Sequence, residues 1–233
     1  MKHYTIILAT LLSLLLPVQG WGADFQKGLD AVRSGDYATA LKEWTPLARR
    51  GDANAQYNLG MIYDKGDGVP QDYKTAVMWW TLAAEQGDTR AQFSLGTMYD
   101  YGQGVLQNYK TAAKWYTLSA EQGHAEAQFN IGSMYKDGQG VLQDYKAAVK
   151  WYTLSAEQGQ ANAQVNLAIR YAAGQGVLQN YVSAHMWANI GSANGQKNGR
   201  EVRDLIAKEM TPSQKEEAQR LARECVAKNY KGC

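Results

Sequence analysis

The sequence predicts an all-α solenoid, a superhelix of stacked helix pairs that repeats every 36 residues. Five glycines keep this spacing: Gly51, Gly87, Gly123, Gly159 and Gly195. Five tyrosines share it: Tyr37, Tyr73, Tyr109, Tyr145 and Tyr181. So do four tryptophans: Trp79, Trp115, Trp151 and Trp187. Because self-similarity at a fixed period of roughly 20–50 residues is the signature of repeat architectures, these columns decide the fold class.

Four full repeats and one shorter repeat account for most of the chain. The full repeats are 52–87, 88–123, 124–159 and 160–195, and a divergent repeat, 24–51, precedes them. The divergent repeat keeps the register in its second half, where Tyr37 and Trp44 match Tyr73 and Trp80. A single unit cannot bury its apolar face alone, so we expect neighbouring units to stack into a continuous core.

Each full repeat predicts two antiparallel helices. The first helix is expected to begin after an N-cap such as Asp52 or Asp88, whose carboxylate accepts hydrogen bonds from free backbone N–H groups. Glycines recur at one point inside this helix: Gly60, Gly96 and Gly132. A glycine inside a helix costs about 1 kcal/mol relative to alanine. Its recurrence in register therefore indicates a close approach of two helices.

A Gly-x-Gly-Val loop is expected to join the two helices of each full repeat. Its first glycine can adopt the left-handed conformation that ends a helix. A dinucleotide-binding loop would need a strand before it, whereas a helix precedes each loop here, so we interpret the loops as connections. In the second helix, the spacing of Trp80, Tyr116 and Tyr152 indicates core packing.

The tail, residues 196–233, loses the repeat and is predicted to form capping helices. One helix is expected over 201–210, and another starts at Thr211-Pro212, with Gln214 completing a capping box. The only two cysteines, Cys225 and Cys233, predict a disulfide if the protein is exported. The alternative is two free thiols on a frayed terminus.

The first 23 residues predict a secretory signal peptide. Lys2 supplies a positive start, an apolar run covers residues 6–16, and Pro17 ends the run. The run is too short to span a bilayer, which takes about 20 apolar residues. Three small residues are candidate cleavage points: Gly20, Gly22 and Ala23. We expect a periplasmic or secreted chain that starts near Asp24 and has no membrane span; an uncleaved anchor is the alternative.

Charge and reactive residues argue against several function classes. The net charge is +2, whereas a nucleic-acid surface usually shows a basic excess or stripe. The three histidines, His3, His124 and His185, are scattered and predict no metal site. No Gly-x-Ser-x-Gly or comparable nucleophile signature occurs. We therefore expect no cofactor, no nucleic-acid partner and no catalysis.

The repeat text resembles the Sel-one-like repeat family, an offshoot of the tetratricopeptide repeat. The resemblance rests on AQFNIGSMYKDGQGVLQDYKAAVKWYTLSAEQG, residues 127–159, and its three relatives in the chain. It implies a right-handed superhelix of helix pairs and a role in protein–protein interaction. Exported bacterial members are linked to signalling, envelope and host-contact roles. A cysteine-rich branch is associated with β-lactam binding, but this chain lacks the repeated cysteine pairs of that branch.

These observations predict a non-enzymatic scaffold or adaptor of the bacterial cell envelope that binds a protein or peptide partner. A weak envelope hydrolase or β-lactam-binding protein is the alternative, with no residue constellation to support it.

The candidate binding surface is a stripe that varies between repeats, beside positions such as Ala55 and Tyr63 that do not vary and are interpreted as packing. We name this set the first-helix stripe: Asn54, Tyr57, Met61, Arg90, Phe93, Thr97, Tyr101, Glu126, Phe129 and Ser133. The resemblance implies that it faces the concave side. Aromatic residues and arginine are the usual hot spots of interfaces. Alternatively, Arg90 and Glu126 pair with each other across units, or binding uses edges and loops.

Overall fold

A computed structural model describes residues 23–233, and over these residues it contains twelve α-helices and no strand. The predicted signal peptide lies outside the described residues, apart from Ala23. The helices are α1 Phe25–Arg33, α2 Tyr37–Arg49, α3 Ala53–Lys65, α4 Tyr73–Glu85, α5 Thr89–Tyr101, α6 Tyr109–Glu121, α7 Ala125–Asp137, α8 Tyr145–Ala156, α9 Ala161–Ala173, α10 Tyr181–Ala193, α11 Gly199–Lys208 and α12 Pro212–Ala227. From α1 to α11 each helix packs against the next. The predicted all-α solenoid is confirmed.

The first helix of each full repeat begins and ends as its local sequence predicts. The carboxylates of Asp52 and Asp88 accept from the backbone N–H groups three residues on, at 2.9 and 3.0 Å. His124 takes the same capping position, where its Nδ1 accepts from the Ala127 N–H at 3.3 Å. Each of these helices ends at a left-handed glycine with φ between 64° and 75°: Gly66, Gly102, Gly138 and Gly174.

In the first three full repeats a large aromatic side chain of the second helix lies against a glycine of the first helix, whereas the fourth repeat has Ala168 and Ala188 at these positions. Trp80, Tyr116 and Tyr152 are almost fully buried. A Cβ atom at Gly96 would lie 2.5 Å from Cδ1 of Tyr116, and one at Gly60 would overlap the Trp80 indole. The close helix approach that the recurring glycines predict is therefore confirmed. Because glycine has no side chain, it leaves the space in which the ring opposite it is buried.

A column of buried glutamines links consecutive units, and sequence reasoning did not single it out. Its members are Gln56, Gln92, Gln128 and Gln164. In each, the amide nitrogen donates to a backbone carbonyl eight residues earlier, as Gln92 does to Ala84 at 3.2 Å. The amide oxygen accepts from a side chain 30 residues later, as Gln92 does from Gln122 at 2.7 Å. Each glutamine thereby links its own helix to the helix before it and to the end of the helix after it. Because both ends of the buried amide are hydrogen-bonded, its burial leaves no polar atom unpaired.

The second glycine of the Gly-x-Gly-Val loop touches the preceding unit. A Cβ atom at Gly140 would overlap the backbone carbonyl of Tyr109, the first residue of α6. Gly104 and Gly176 meet the backbones of Tyr73 and Tyr145 in the same way. The loops are therefore contacts between units as well as connections, which their sequence pattern alone did not indicate.

The C-terminal helices both pack on α10, and α11 also contacts α9. The helix expected over 201–210 instead spans Gly199–Lys208. This bound was wrong because Met210 is buried in the turn before α12 rather than carried on a continuing helix. The predicted start of α12 is confirmed, since Thr211 and Gln214 exchange side-chain and backbone hydrogen bonds as a capping box.

The end of the chain folds back after α12. The Tyr230 hydroxyl donates to Asn194 at 3.2 Å, and the Gly232 N–H donates to the Glu157 carboxylate at 3.0 Å. This return brings the sulfur atoms of Cys225 and Cys233 to bonding distance, with their Cα atoms 5.5 Å apart. The placement is compatible with the predicted disulfide.

We expect Cys225 and Cys233 to resist alkylation in protein purified without reductant, and to react after reduction. The bridge would close a short loop and stabilise the fold by about 2–3 kcal/mol at most, because it restricts the unfolded chain. Mass spectrometry of iodoacetamide-treated protein, with and without dithiothreitol, measures this directly. Two alkylated thiols in material from the periplasm would reject the disulfide.

Candidate functional site

The first-helix stripe lies on α3, α5 and α7, at equivalent positions of three consecutive units. Three of its four aromatic members, Tyr57, Phe93 and Phe129, are half-buried. Around them the side chains of Asn54 and Glu126 are exposed. The Tyr101 ring, at the end of α5, is 69% exposed. The stripe therefore combines a partly open aromatic row with polar groups beside it.

Phe93 and Phe129 each pack against the buried aromatic residue of their own unit. The ring centroids of Phe93 and Tyr116 are 5.8 Å apart, and those of Phe129 and Tyr152 are 5.9 Å apart. Such tilted pairs add roughly 0.5–1.5 kcal/mol beyond the area they bury. This support holds Phe93 and Phe129 in place, and both rings stay partly exposed.

The same arrangement occurs one unit earlier, where sequence reasoning missed it. The Phe25 ring lies 5.8 Å from Trp44, and Gly28 lies against the Trp44 indole as Gly60 lies against its own tryptophan. Phe25 precedes Tyr57 by 32 residues rather than 36, because the first helix of the divergent repeat is shorter. The Phe25-x-x-Gly28 spacing, which matches Tyr57-x-x-Gly60, was the signal that could have identified it.

Arg90 bridges two units on the stripe. Its guanidinium carbon lies 4.2 Å from the centroid of the Tyr57 ring, a cation–π contact. Its Nη2 donates to Asn54 at 2.8 Å and to the Asp88 carboxylate at 2.5 Å. The alternative in which Arg90 pairs with Glu126 is therefore wrong. The partners of Arg90 lie toward the N-terminus, because the side chain turns back over the preceding unit.

His124 covers the next ring of the row. Its imidazole stacks on Phe93 with centroids 4.6 Å apart and an interplanar angle of 22°. Burial in this stack lowers the pKa of His124, although Glu126, at 3.5 Å, acts in the opposite direction. A neutral imidazole also fits its role as an acceptor at the helix start. Arg90 is therefore the permanent positive charge beside the row.

Two members of the stripe are engaged in packing. Thr97 accepts a hydrogen bond from the Tyr116 hydroxyl at 3.3 Å, and Ser133 shares one with the Tyr152 hydroxyl at 3.1 Å. Burial raises the pKa of Tyr152 to about 12, so its hydroxyl stays protonated near neutral pH. Thr97 and Ser133 thus satisfy buried hydroxyls and have less freedom to contact a partner than the rings beside them.

Residues 23–233 carry neither a cluster of metal ligands nor a helix that could cross a membrane. Within this range no group of three or more His, Cys, Asp or Glu side chains is arranged to hold a metal ion. No helix in the same range combines the length and apolar character that a bilayer crossing requires.

A Sel1 repeat family model matches residues 53–88, 89–124, 125–160 and 161–196, more than half of the chain. The chain belongs to the Sel1 repeat family. Proteins with these repeats generally take part in protein–protein interaction and are typically non-catalytic scaffolds. The resemblance that the repeat text suggested is thereby confirmed.

The solved structures that are similar to this Sel1 repeat protein include two at 30% identity. The crystal structure of a Sel1 repeat protein from Oxalobacter formigenes is 30% identical, with a TM-score of 0.71; the match covers 87% of this chain and 75% of that one. The crystal structure of c5321, a protective antigen present in uropathogenic Escherichia coli strains, is also 30% identical, with a TM-score of 0.55. That match covers 86% of this chain but 53% of c5321, so the chain spans about half of that protein. No curated protein gives a significant match.

Proposed function

We propose that this Sel1 repeat protein is a non-enzymatic scaffold of the bacterial cell envelope that binds a protein partner on the first-helix stripe. The observation that carries the proposal is the row of half-buried rings formed by Tyr57, Phe93 and Phe129, with the Arg90 guanidinium beside it. Rings held by a rigid core lose little conformational freedom on binding, which is why aromatic residues and arginine dominate interface energetics.

The chemistry of the stripe favours a partner that presents apolar side chains to the rings and a hydrogen-bond acceptor to Arg90. The guanidinium already shares one carboxylate with Asp88, and its remaining N–H groups are available to a second acceptor. A helix or an extended segment that crosses several units could contact three rings at once. Covering the row would bury apolar surface that the free protein leaves half open.

We expect the Phe93→Ala/Arg90→Glu double variant to lose most of its binding to the partner captured from an envelope extract. Removing one aromatic and one arginine hot spot should weaken affinity by roughly 30-fold or more, because such residues contribute at least about 2 kcal/mol. Affinity is measured by pull-down followed by titration. Circular dichroism and thermal melting first establish that the helices of the variant are intact.

The matched control is a Leu106→Ala/Leu142→Ala variant on the loops. These leucines are each 91% exposed, so their removal tests the edge of the solenoid without disturbing the core. If the Leu106→Ala/Leu142→Ala variant still binds the partner and the Phe93→Ala/Arg90→Glu variant does not, the result supports the first-helix stripe as the binding site. The reverse result would place the site along the loop edge and reject this part of the proposal.

The location in the envelope rests on the charged, apolar and small-residue order of the first 23 residues. We expect protein isolated from a periplasmic fraction to lack its first 20–23 residues and to begin near Asp24. Intact-mass analysis measures the cleavage point. A full-length species confined to the cytoplasm would contradict export.

The alternative, an envelope hydrolase or β-lactam-binding protein, has no nucleophile signature in the sequence and no metal-ligand group within residues 23–233 to supply hydrolysis. A nitrocefin hydrolysis assay on the purified protein, run beside the pull-down, separates the two functions.

A further inference from the structure

A polar cavity of about 540 Å³ lies where α10, α11 and α12 meet, away from the first-helix stripe. Each helix lines it with one face. On α12 the lining residues are Lys215, Gln219 and Arg223, which are spaced by four and therefore lie along one stripe of that helix. Its volume lies within the range of sites that hold metabolite-sized ligands.

Positive charge dominates the wall of this cavity. Arg203 of α11 joins Lys215 and Arg223 of α12, while Asp204 is the one carboxylate among the lining residues. Asp204 already binds the Arg203 guanidinium, at 2.7 and 2.9 Å. Within residues 23–233, neither Lys215 nor Arg223 forms an ion pair. The cavity therefore carries an uncompensated excess of cations.

The Arg203 side chain is held in place before any ligand arrives. Besides its contact with Asp204, its Nη1 donates to the Asn189 side chain of α10 at 3.3 Å. A guanidinium fixed by two helices presents its remaining donors in a defined direction, which suits the planar or tetrahedral oxygens of an anion.

A buried histidine supplies a second, independent observation. His185 of α10 forms part of the wall and is 5% exposed, and its buried Nδ1 has no hydrogen-bond partner. Buried polar atoms are nearly always paired, so this unpaired Nδ1 is an unsatisfied group behind a positively charged wall, where it senses the charge in the cavity without being open to it. His185 also departs from its column in the repeats, where Val77, Ala113 and Val149 are apolar.

We propose that this cavity binds a compact oxyanion, a carboxylate or phosphate group, through Arg203, Lys215 and Arg223, with His185 beside it. The group can be free or can end a longer molecule such as a peptide with a free C-terminus. This site is independent of the stripe, so its failure would leave the proposed scaffold function untouched.

The pKa of His185 is expected to show whether an anion occupies the cavity. Burial lowers its pKa in the free protein, and the nearby Arg203 and Lys215 act in the same direction, while Asp204 opposes them. Arg223 adds a further positive charge to the same wall. An anion bound among these cations would offset their charge, so it should raise the pKa of His185.

The test is a titration followed by NMR of the histidine rings, at constant ionic strength, with three probes: inorganic phosphate, trialanine with a free carboxylate, and trialanine amide. We expect saturable shifts of the His185 ring and a raised pKa with phosphate, with free trialanine, or with both. The amide should produce neither. His124, on the stripe, serves as the internal reference and should not change.

Variants distinguish a built site from general attraction of anions. Lys215→Gln and Arg203→Gln should each weaken binding by about tenfold, as loss of one charge-assisted contact predicts. Arg200→Gln removes an exposed arginine from the same α11 without touching the cavity, and should leave affinity nearly unchanged. Unsaturable shifts, equal effects of Arg200→Gln and Lys215→Gln, or equal binding of the amide would overturn the proposal.

Discussion

Replacing Trp80 with alanine is expected to lower the free energy of unfolding by about 3–5 kcal/mol, the range found when a large buried ring is removed. The indole is 2% exposed and fills the space opposite Gly60. Its Nε1 also donates to the Tyr57 carbonyl at 3.1 Å. The substitution would therefore leave a cavity at the junction of α3 and α4 and remove a hydrogen bond that joins the two helices.

Trp79→Ala is the matched control, because it removes the same side chain from the adjacent position of α4. Trp79 is only partly buried, so we expect a loss below about 2 kcal/mol. Urea denaturation followed by circular dichroism gives both values. Equal losses of unfolding free energy in the two variants would show that the buried Trp80 indole contributes no more to stability than the partly exposed Trp79.

Gly140→Ala is expected to destabilise the protein by roughly 3–5 kcal/mol through a contact between units. Its φ of 70° already disfavours a side chain, at about 1–2 kcal/mol. The added Cβ would also overlap the Tyr109 carbonyl, which belongs to backbone at the start of α6 and cannot rotate away. The α7–α8 loop and the preceding unit would have to separate, so the interface between the two units would open.

Gly138→Ala isolates that contact, since it lies in the same loop and has a φ of 69°. A Cβ atom there would lie 3.4 Å from the Gln143 Cβ, close to an ordinary packing distance. We expect it to lose about 1–2 kcal/mol, the conformational part alone. The free energy of unfolding of both variants is measured by urea denaturation. Similar losses for Gly138→Ala and Gly140→Ala would mean that the close contact of Gly140 with the Tyr109 carbonyl does not add to the destabilisation.

The candidate surface was partly predictable from the repeats. Comparing equivalent positions separated packing residues from variable ones, and this placed Tyr57, Phe93 and Phe129 in one row. It did not reveal that Thr97 and Ser133 serve the hydroxyls of Tyr116 and Tyr152, because a hydroxyl on a helix surface looks the same in sequence whether it faces solvent or a buried tyrosine.

The sequence indicated the cavity at the end of the solenoid less clearly than it indicated the first-helix stripe. The spacing of Lys215, Gln219 and Arg223 places them on one face of a helix, but such a stripe is ordinarily solvated. His185 departs from an apolar column of the repeats, but a single polar residue in such a column does not by itself indicate a ligand. The packing of both α11 and α12 on α10 is what brings these residues to one cavity.

The sequence by itself determined the period, the helix starts and stops and the identity of the core columns. Caps such as Asp52 and left-handed glycines such as Gly66 act within a few residues, and a residue repeated every 36 positions meets the same surroundings each time. The tertiary structure alone decided which groups meet across units: Gly140 with Tyr109, Gln92 with Gln122, and Arg90 with Asn54 rather than Glu126. Those pairings depend on the rotation between neighbouring units and on side-chain direction, which a period along the chain does not specify.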